Sequence, residues 1–186
     1  MLLICGLGNF GNEYTNTRHN VGFNVLDLLA TKYNCCFSLK QKFKAEVAST
    51  QYNQEDIILA KPLTYVNLSG QAVQLLCNYY KLPVEKVIVI HDDLELPCGK
   101  IKVKIGGGHA GHNGLKSIDQ NIGKDYTRIR IGIDRPIVGD VASYVLGKIT
   151  PKEKMVLEES YHIILEHIPL LFDGQLEKFT CNINKK

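Results

Sequence analysis

The chain has 186 residues, of which 45% are hydrophobic and 22% charged, and its formal net charge is +3. This length suits a single domain with its own core, and the composition excludes a disordered chain. No apolar run approaches the roughly 18 residues of a membrane span, and the start Met-Leu-Leu-Ile-Cys-Gly lacks an export leader. The six cysteines form no C-x-x-C pair. We therefore expect a soluble, cytoplasmic protein.

Apolar runs and alternating patterns predict five strands along the chain. They are Leu2–Cys5, Ile57–Ala60, Val87–Ile90, Ile101–Ile105 and Ile129–Ile133. Apolar residues at helical spacing predict a first helix from Val21 to Leu29. A second helix is predicted from Leu68 to Tyr79, with Asn67 as its N-cap.

The third predicted helix is the best marked. Thr150-Pro151-Lys152-Glu153 places a capping hydroxyl, a first-turn proline and a glutamate in the order of a capping box. Pro169 is expected to end or kink this helix. Strands that alternate with helices predict one α/β layered domain over residues 1–186, with a polar tail from about residue 180.

A glycine pattern follows the first strand: Gly6-Leu7-Gly8-Asn9-Phe10-Gly11 has the G-x-G-x-x-G spacing of a dinucleotide-binding turn. That turn needs a helix that begins directly at the glycines and an acidic residue about 20 positions later, at the end of the second strand. Here a polar run follows, and the helical pattern begins only near Val21, with Asp27 inside the helix. The pattern instead favours a sharp turn at the carboxyl end of a strand, where α/β sheets bind ligands.

Polar residues follow several of the predicted strands. Asn9 and His19 come after the first strand, and Asp92 comes after the third. Because the carboxyl ends of parallel strands converge, we expect His19 and Asp92 to be neighbours. A histidine oriented by an aspartate can take a proton from water. The carboxamides of Asn9, Asn67 or Asn113 could stabilise an oxyanion.

Metal binding is the competing interpretation of the same polar residues. His109 and His112, together with His91-Asp92-Asp93, offer nitrogen and oxygen ligands. The surrounding glycines favour a loop rather than the helical spacing of most such histidine pairs. We therefore predict neither a metal nor another cofactor.

Positive charge is concentrated in residues 100–135, where eight basic and three acidic residues give a net charge of +5. Such a cluster is either a solvated face or the binding surface of a polyanion.

Four separated motifs stand out along the chain. They are Gly6-Leu7-Gly8-Asn9 with Tyr14 and Thr17-Arg18-His19-Asn20, Lys61-Pro62-Leu63-Thr64-Tyr65-Val66-Asn67-Leu68-Ser69-Gly70, His91-Asp92-Asp93-Leu94, and Gly107-Gly108-His109-Ala110-Gly111-His112-Asn113-Gly114-Leu115. In order and spacing, from residue 2 to about residue 147, these motifs together resemble those of bacterial peptidyl-tRNA hydrolases.

The resemblance implies a single-domain, three-layer α/β/α sandwich with a mixed, largely parallel central sheet. It also implies a cytoplasmic, usually monomeric esterase that needs no metal. Such an enzyme cleaves the ester bond between a peptide and the 3′ ribose of tRNA, and so recycles tRNA from peptides dropped by stalled ribosomes.

By the same resemblance, His19 is the general base, Asp92 its partner, and Asn9 the residue that distinguishes a blocked from a free amino group. The residues that resemble those forming the family's pocket for the peptide and the tRNA 3′ end are Tyr14, Tyr65, Asn67 and Asn113. The residues that resemble those binding the tRNA 5′ phosphate in this family are Lys104 and Arg130.

The chain departs from that family at three positions. Phe10 replaces a usual proline, Val66 a usual methionine, and Ala110 a usual glycine. The last departure raises the question of whether the loop requires a positive φ at residue 110. Two other hypotheses remain open, a non-catalytic RNA-binding module and a metal-dependent hydrolase.

Overall fold

The computed structural model describes residues 1–184. Residues 185 and 186, the end of the predicted polar tail, lie outside the described residues. The strands β1 to β7 are Leu2–Gly6, Ser38–Lys40, Ala45–Tyr52, Glu55–Pro62, Val87–Asp93, Ile101–Ile105 and Thr127–Gly132. The helices α1 to α7 are Val21–Lys32, Ser69–Tyr80, Asn113–Ile122, Val141–Val145, Pro151–His167, Pro169–Phe172 and Leu176–Ile183.

The strands form one mixed sheet in the order β2-β3-β4-β1-β5-β7-β6. Its centre, β4-β1-β5-β7, is parallel. The flanking strands are antiparallel to their neighbours, with β2 and β3 at one side and β6 at the other. The prediction of an α/β fold with a mixed, largely parallel sheet is confirmed.

Helices cover both faces of the sheet, which gives three layers. On one face α1, α5 and α7 contribute Leu26, Leu157 and Phe179 to a buried cluster. On the other face α2 and α3 contribute Leu76 and Ile118 to a second cluster. Burial of each such side chain stabilises the fold by about 1.5–3 kcal/mol. None of the helices described between residues 1 and 184 has the length and apolar character needed to cross a bilayer.

All five strands predicted from the sequence are present, and β5 continues to Asp93, so that Asp92 lies inside a strand. The capping box of α5 is formed, because Thr150 accepts a bond from the Glu153 amide and Glu153 accepts one from the Thr150 amide. The helix α5 ends at His167, directly ahead of the α6 segment that begins at Pro169.

The prediction of Asn67 as the N-cap of α2 is wrong. The 3₁₀ turn Val66–Leu68 precedes the helix, and Leu68 occupies the cap position. The turn is closed by a bond of 2.8 Å from the Leu68 amide to the Tyr65 carbonyl, which delays the start of α2 to Ser69. The Asn67 side chain is therefore exposed and makes no cap bond.

Two further regions differ from the sequence prediction. The strands β2 and β3 were not predicted, because Ala45–Tyr52 carries polar residues on its exposed positions and lacks a continuous apolar run. The tail expected from about residue 180 begins later, since α7 continues to Ile183. Burial of Phe179 and Ile183 against the sheet holds this helix in place.

Candidate active site

The structure brings His19 and Asp92 together at the carboxyl edge of the sheet. His19 lies in the 3₁₀ turn Arg18–Asn20, between β1 and α1, and Asp92 lies near the end of β5. The Nδ1 of His19 is 2.9 Å from each carboxylate oxygen of Asp92. Both side chains are buried. The hydrogen bond fixes the proton of the neutral imidazole on Nδ1 and leaves a lone pair on Nε2.

The glycines after β1 allow the start of α1 to approach this edge closely. A Cβ atom on Gly6 would lie 2.5 Å from the Gly22 carbonyl oxygen, and one on Gly8 would lie 2.9 Å from Oδ1 of Asn20. The same Asn20 side chain bonds the backbone of Asn9 at both its amide and its carbonyl, at 2.8 and 2.9 Å. Close helix packing thus accounts for the glycine spacing, and α1 begins only at Val21.

His112 is a third member of the cluster, and the sequence pointed to it only as a possible metal ligand. Its Nε2 is 2.9 Å from Oδ1 of Asp92. Its Nδ1 accepts bonds from the amides of Gly114 and Leu115, at 3.1 and 3.4 Å, and so caps α3. Because Nδ1 acts as an acceptor, the proton of the neutral ring is on Nε2 and is donated to Asp92. Histidine is not among the residues preferred at helix N-caps, so no local signal pointed to this role.

His91 is next to this cluster but has a different environment. It is buried, its Nδ1 donates to the backbone carbonyl of Asp92 at 2.7 Å, and its ring stands edge-on to that of His112. Burial and the nearby His112 together lower the pKa of His91 to about 3. A group of such low basicity is a poor proton acceptor at neutral pH.

The electrostatics of the His19–Asp92 pair favour an ionised carboxylate. Burial would by itself lower the pKa of His19, but the Asp92 carboxylate raises that pKa above its ordinary value. Burial would raise the pKa of Asp92, yet His19 and His112 hold it well below its usual range. Within residues 1–184, no protein group bonds to Nε2 of His19. Of the three histidines, His19 alone combines raised basicity with a ring nitrogen free to act.

The structure does not assemble the metal-ligand set considered from the sequence. The Nδ1 of His109 bonds to the Gly111 amide, and His91 bonds to the backbone. Within residues 1–184, the group with metal-ligand geometry is instead His19, Asp92 and His112, whose candidate ligand atoms lie within 4.8 Å of one another. The contacts of 2.9 Å within this group are hydrogen bonds, so the candidate ligand atoms are already paired with one another. A metal here would have to replace both hydrogen bonds to Asp92.

A cleft of about 540 Å³ opens beside the cluster. The residues predicted for the site that line it are Asn9, His19, Asp92, Lys104, Asn113 and Arg130. The predicted residues outside its lining are Tyr14, Tyr65 and Asn67. Tyr65 and Asn67 are exposed, and Tyr14 is half-buried in the 3₁₀ turn Asn12–Tyr14. Six of the nine residues predicted for the site therefore line the cleft, and the other three lie outside its lining.

The basic stretch divides into surface and interior. Arg128 is only 1% exposed and donates to the carbonyls of Gly107 and Gly108 and to Asp119, so it anchors the glycine loop from inside. Arg130 lies in the cleft with its Nε 2.7 Å from Asp93. The charge offered to a ligand is therefore smaller than the sequence count suggests.

The glycine loop, residues 106–112, requires left-handed backbone at residue 110. Ala110 has φ +48°, and Gly107 and Gly111 are also positive, at +92° and +80°. A non-glycine residue in this region carries strain, which costs about 1–2 kcal/mol. Ala110 thus adopts a backbone conformation that favours glycine, in a loop that Arg128 bonds at the Gly107 and Gly108 carbonyls.

Sequence reasoning missed Arg18, which ties the His19 turn to the opposite wall of the cleft. Its guanidinium makes two bonds to Glu153, at 2.8 and 2.9 Å, and stacks 4.3 Å from the centre of the Tyr144 ring in α4. Val145, also in α4, lines the cleft. No local signal could reveal a partner 135 positions away along the chain.

Known proteins resemble this chain in sequence and in fold. The family model described as Peptidyl-tRNA hydrolase matches residues 3–186. A Rickettsia bellii peptidyl-tRNA hydrolase is 49% identical over 96% of this chain and 97% of its own length. A Rickettsia prowazekii peptidyl-tRNA hydrolase is 48% identical over 98% of this chain and all of its own length. The crystal structure of Acinetobacter baumannii peptidyl-tRNA hydrolase superposes with a TM-score of 0.96, at 38% identity, and covers the whole of this chain and 95% of that one. The chain belongs to the peptidyl-tRNA hydrolase family.

Proposed function

We propose that this enzyme hydrolyses peptidyl-tRNA with His19 as the general base. The observation that carries the proposal is the bond from Nδ1 of His19 to the buried Asp92 carboxylate, which leaves Nε2 available at a cleft. The substrate bond is the ester between the peptide, or an N-blocked amino acid, and the 3′ ribose oxygen of tRNA. Family membership supports this substrate.

The reaction proceeds in two proton transfers. Nε2 of His19 takes a proton from a water molecule as its oxygen attacks the ester carbonyl, which forms a tetrahedral intermediate. The intermediate then collapses, its bond to the ribose oxygen breaks, and the imidazolium returns the proton to that oxygen. Asp92 remains ionised and stabilises the imidazolium between the two transfers.

His112 acts in this scheme as a positioning residue. Its Nε2–H occupies Oδ1 of Asp92, and its Nδ1 is fixed by the first amides of α3. The carboxylate is therefore held by a second bond at an oxygen that His19 also contacts. Correct placement of the base matters because a small displacement of a catalytic group costs a large factor in rate.

Asparagine carboxamides at the cleft are suited to bind the carbonyl and the peptide. Asn9 and Asn113 line the cleft, and Asn67 lies at its exposed margin. One such donor to an oxyanion contributes about 10²–10³ in rate. Asn9, whose backbone is held by Asn20, is the residue we assign to discriminating a blocked from a free amino group.

Lys104 and Arg130 are the residues we assign to the 5′ phosphate of the tRNA acceptor end. Both line the cleft and project from neighbouring strands, β6 and β7. Arg130 is bonded to Asp93 through Nε, which orients its guanidinium. We propose that the protein works in the cytoplasm as a monomer, in the recycling of tRNA from peptidyl-tRNA that stalled ribosomes release.

The test is incubation of the purified protein with N-acetylaminoacyl-tRNA and with free aminoacyl-tRNA, each with and without a metal chelator. The proposal predicts release of tRNA from the N-blocked substrate, little release from the free one, and no effect of chelation. Binding without release would indicate an RNA-binding module. Activity lost on chelation and restored by metal would indicate a metal-dependent hydrolase.

A further inference from the structure

Two aromatic side chains stand exposed next to the cleft, and the family resemblance assigns a role in the substrate pocket to Tyr65 but none to Phe10. Phe10 is 43% exposed and Tyr65 is 64% exposed. Their ring centres are 6.0 Å apart, and the ring planes are tilted by 43°. Large apolar groups left this open in adjacent loops commonly mark a binding surface.

The aromatic pair borders the cleft directly. Asn9 and Val66, the chain neighbours of Phe10 and Tyr65, both line it. A Cβ atom on Gly114 would lie 3.2 Å from a Val66 methyl and 3.1 Å from the His112 ring, so this loop reaches the buried cluster. The backbone directly before Phe10 is held in place, because Asn20 bonds the amide and the carbonyl of Asn9.

The order of the strands separates this pair from the basic residues of the cleft. Tyr65 follows β4 and Phe10 follows β1, whereas Asp92 belongs to β5. Arg130 and Lys104 lie on β7 and β6, on the far side of β5. The catalytic pair therefore sits between an aromatic margin and a basic one.

The substrate has a matching polarity. Its ester joins a polyanion on one side to a peptide on the other, so placing the polyanion against Lys104 and Arg130 directs the peptide toward Phe10 and Tyr65. This step rests on the proposed function. We propose that Phe10, which replaces a usual proline of the family, joins Tyr65 to form a subsite for a large apolar side chain of the peptide, with aromatic side chains bound best. A third ring beside a tilted aromatic pair adds favourable edge and face contacts.

The experiment compares N-acetyl-dipeptidyl-tRNAs that differ in one side chain. One series carries Phe, Leu or Gly before an ester-linked Gly, and the other carries Phe, Leu or Gly at the ester-linked position after Gly. We expect kcat/KM in at least one series to fall from Phe to Leu to Gly, with a Phe-to-Gly ratio of about three to ten, the range that aromatic pairing supplies. Phe10→Ala and Tyr65→Ala should each bring that ratio below about two, and the double variant should lower it no further, since the rings act together.

Leu39→Ala is the matched control, because Leu39 is 54% exposed on β2, the strand at the far edge of the sheet. This variant should keep the wild-type ratio. Equal kcat/KM for all side chains in the wild type, or a ratio that Phe10→Ala leaves unchanged, overturns the aromatic subsite while the proposed function stands. Failure to cleave any of these substrates overturns both.

Discussion

The buried centre of the cleft and its exposed margin are built in opposite ways. At the centre His19, Asp92 and His112 are joined by hydrogen bonds of 2.9 Å, with His19 and Asp92 buried and His112 half-buried. At the margin Tyr65, Asn67 and Asn113 are exposed. In the proposed mechanism, the fold itself therefore sets the geometry of the base, whereas the residues at the margin are open to contact with substrate. Changes at the centre should therefore lower the rate far more than changes at the margin.

The largest expected effect is that of His19→Ala. Removal of the general base should lower kcat for N-acetylaminoacyl-tRNA by about 10²–10⁴. Circular dichroism should show an unchanged fold, because the Ala side chain fits the buried turn. Near-normal hydrolysis by the folded variant would remove His19 from the mechanism.

His112→Ala tests whether the centre needs its second histidine. The variant loses a hydrogen bond to a charged group, worth about 1.5–3 kcal/mol, and we expect kcat to fall by about 10- to 10²-fold. The matched control is His109→Ala in the same loop, whose ring bonds to the Gly111 amide and not to Asp92. Equal losses in the two variants would contradict a specific role for His112.

Lys104→Ala and Arg130→Ala address the basic margin. Each variant should reduce the slope of log binding affinity for tRNA against log salt concentration by about one, because one phosphate contact is lost. The control is Lys116→Ala, an exposed position in α3 outside the cleft lining. Salt slopes that remain at the wild-type value in both cleft variants would refute the phosphate assignment.

Ala110→Gly should have the smallest effect and a favourable one. Relief of a positive φ gains about 1–2 kcal/mol, and the added freedom of the unfolded chain costs about 0.4–1 kcal/mol. The free energy of unfolding in urea should therefore rise by about 0.5–1 kcal/mol. A decrease would mean that the loop carries no strain at this residue.

The sequence allowed prediction of the parts of the molecule that local patterns control. Apolar strands followed by polar residues identified His19 and Asp92, and the capping box identified α5. Other features depend on partners distant in the chain. The polar strand β3 is defined by its pairing with β4. Arg128 can be buried because Asp119 and two loop carbonyls accept hydrogen bonds from its guanidinium. Arg18 bonds to Glu153, which is 135 positions away in the chain and is brought near by the tertiary fold.

The most direct test of the central claim is the pH dependence of kcat/KM in the wild type and in Asp92→Asn. A base must be neutral to act, and Asp92 raises the pKa of His19. The wild-type rate should therefore fall as pH drops through an inflection above the ordinary imidazole value of 6.5. In Asp92→Asn only burial remains, which lowers the pKa of His19, so the inflection should move to lower pH and the plateau rate should drop. An inflection at the same pH in both proteins would contradict the account.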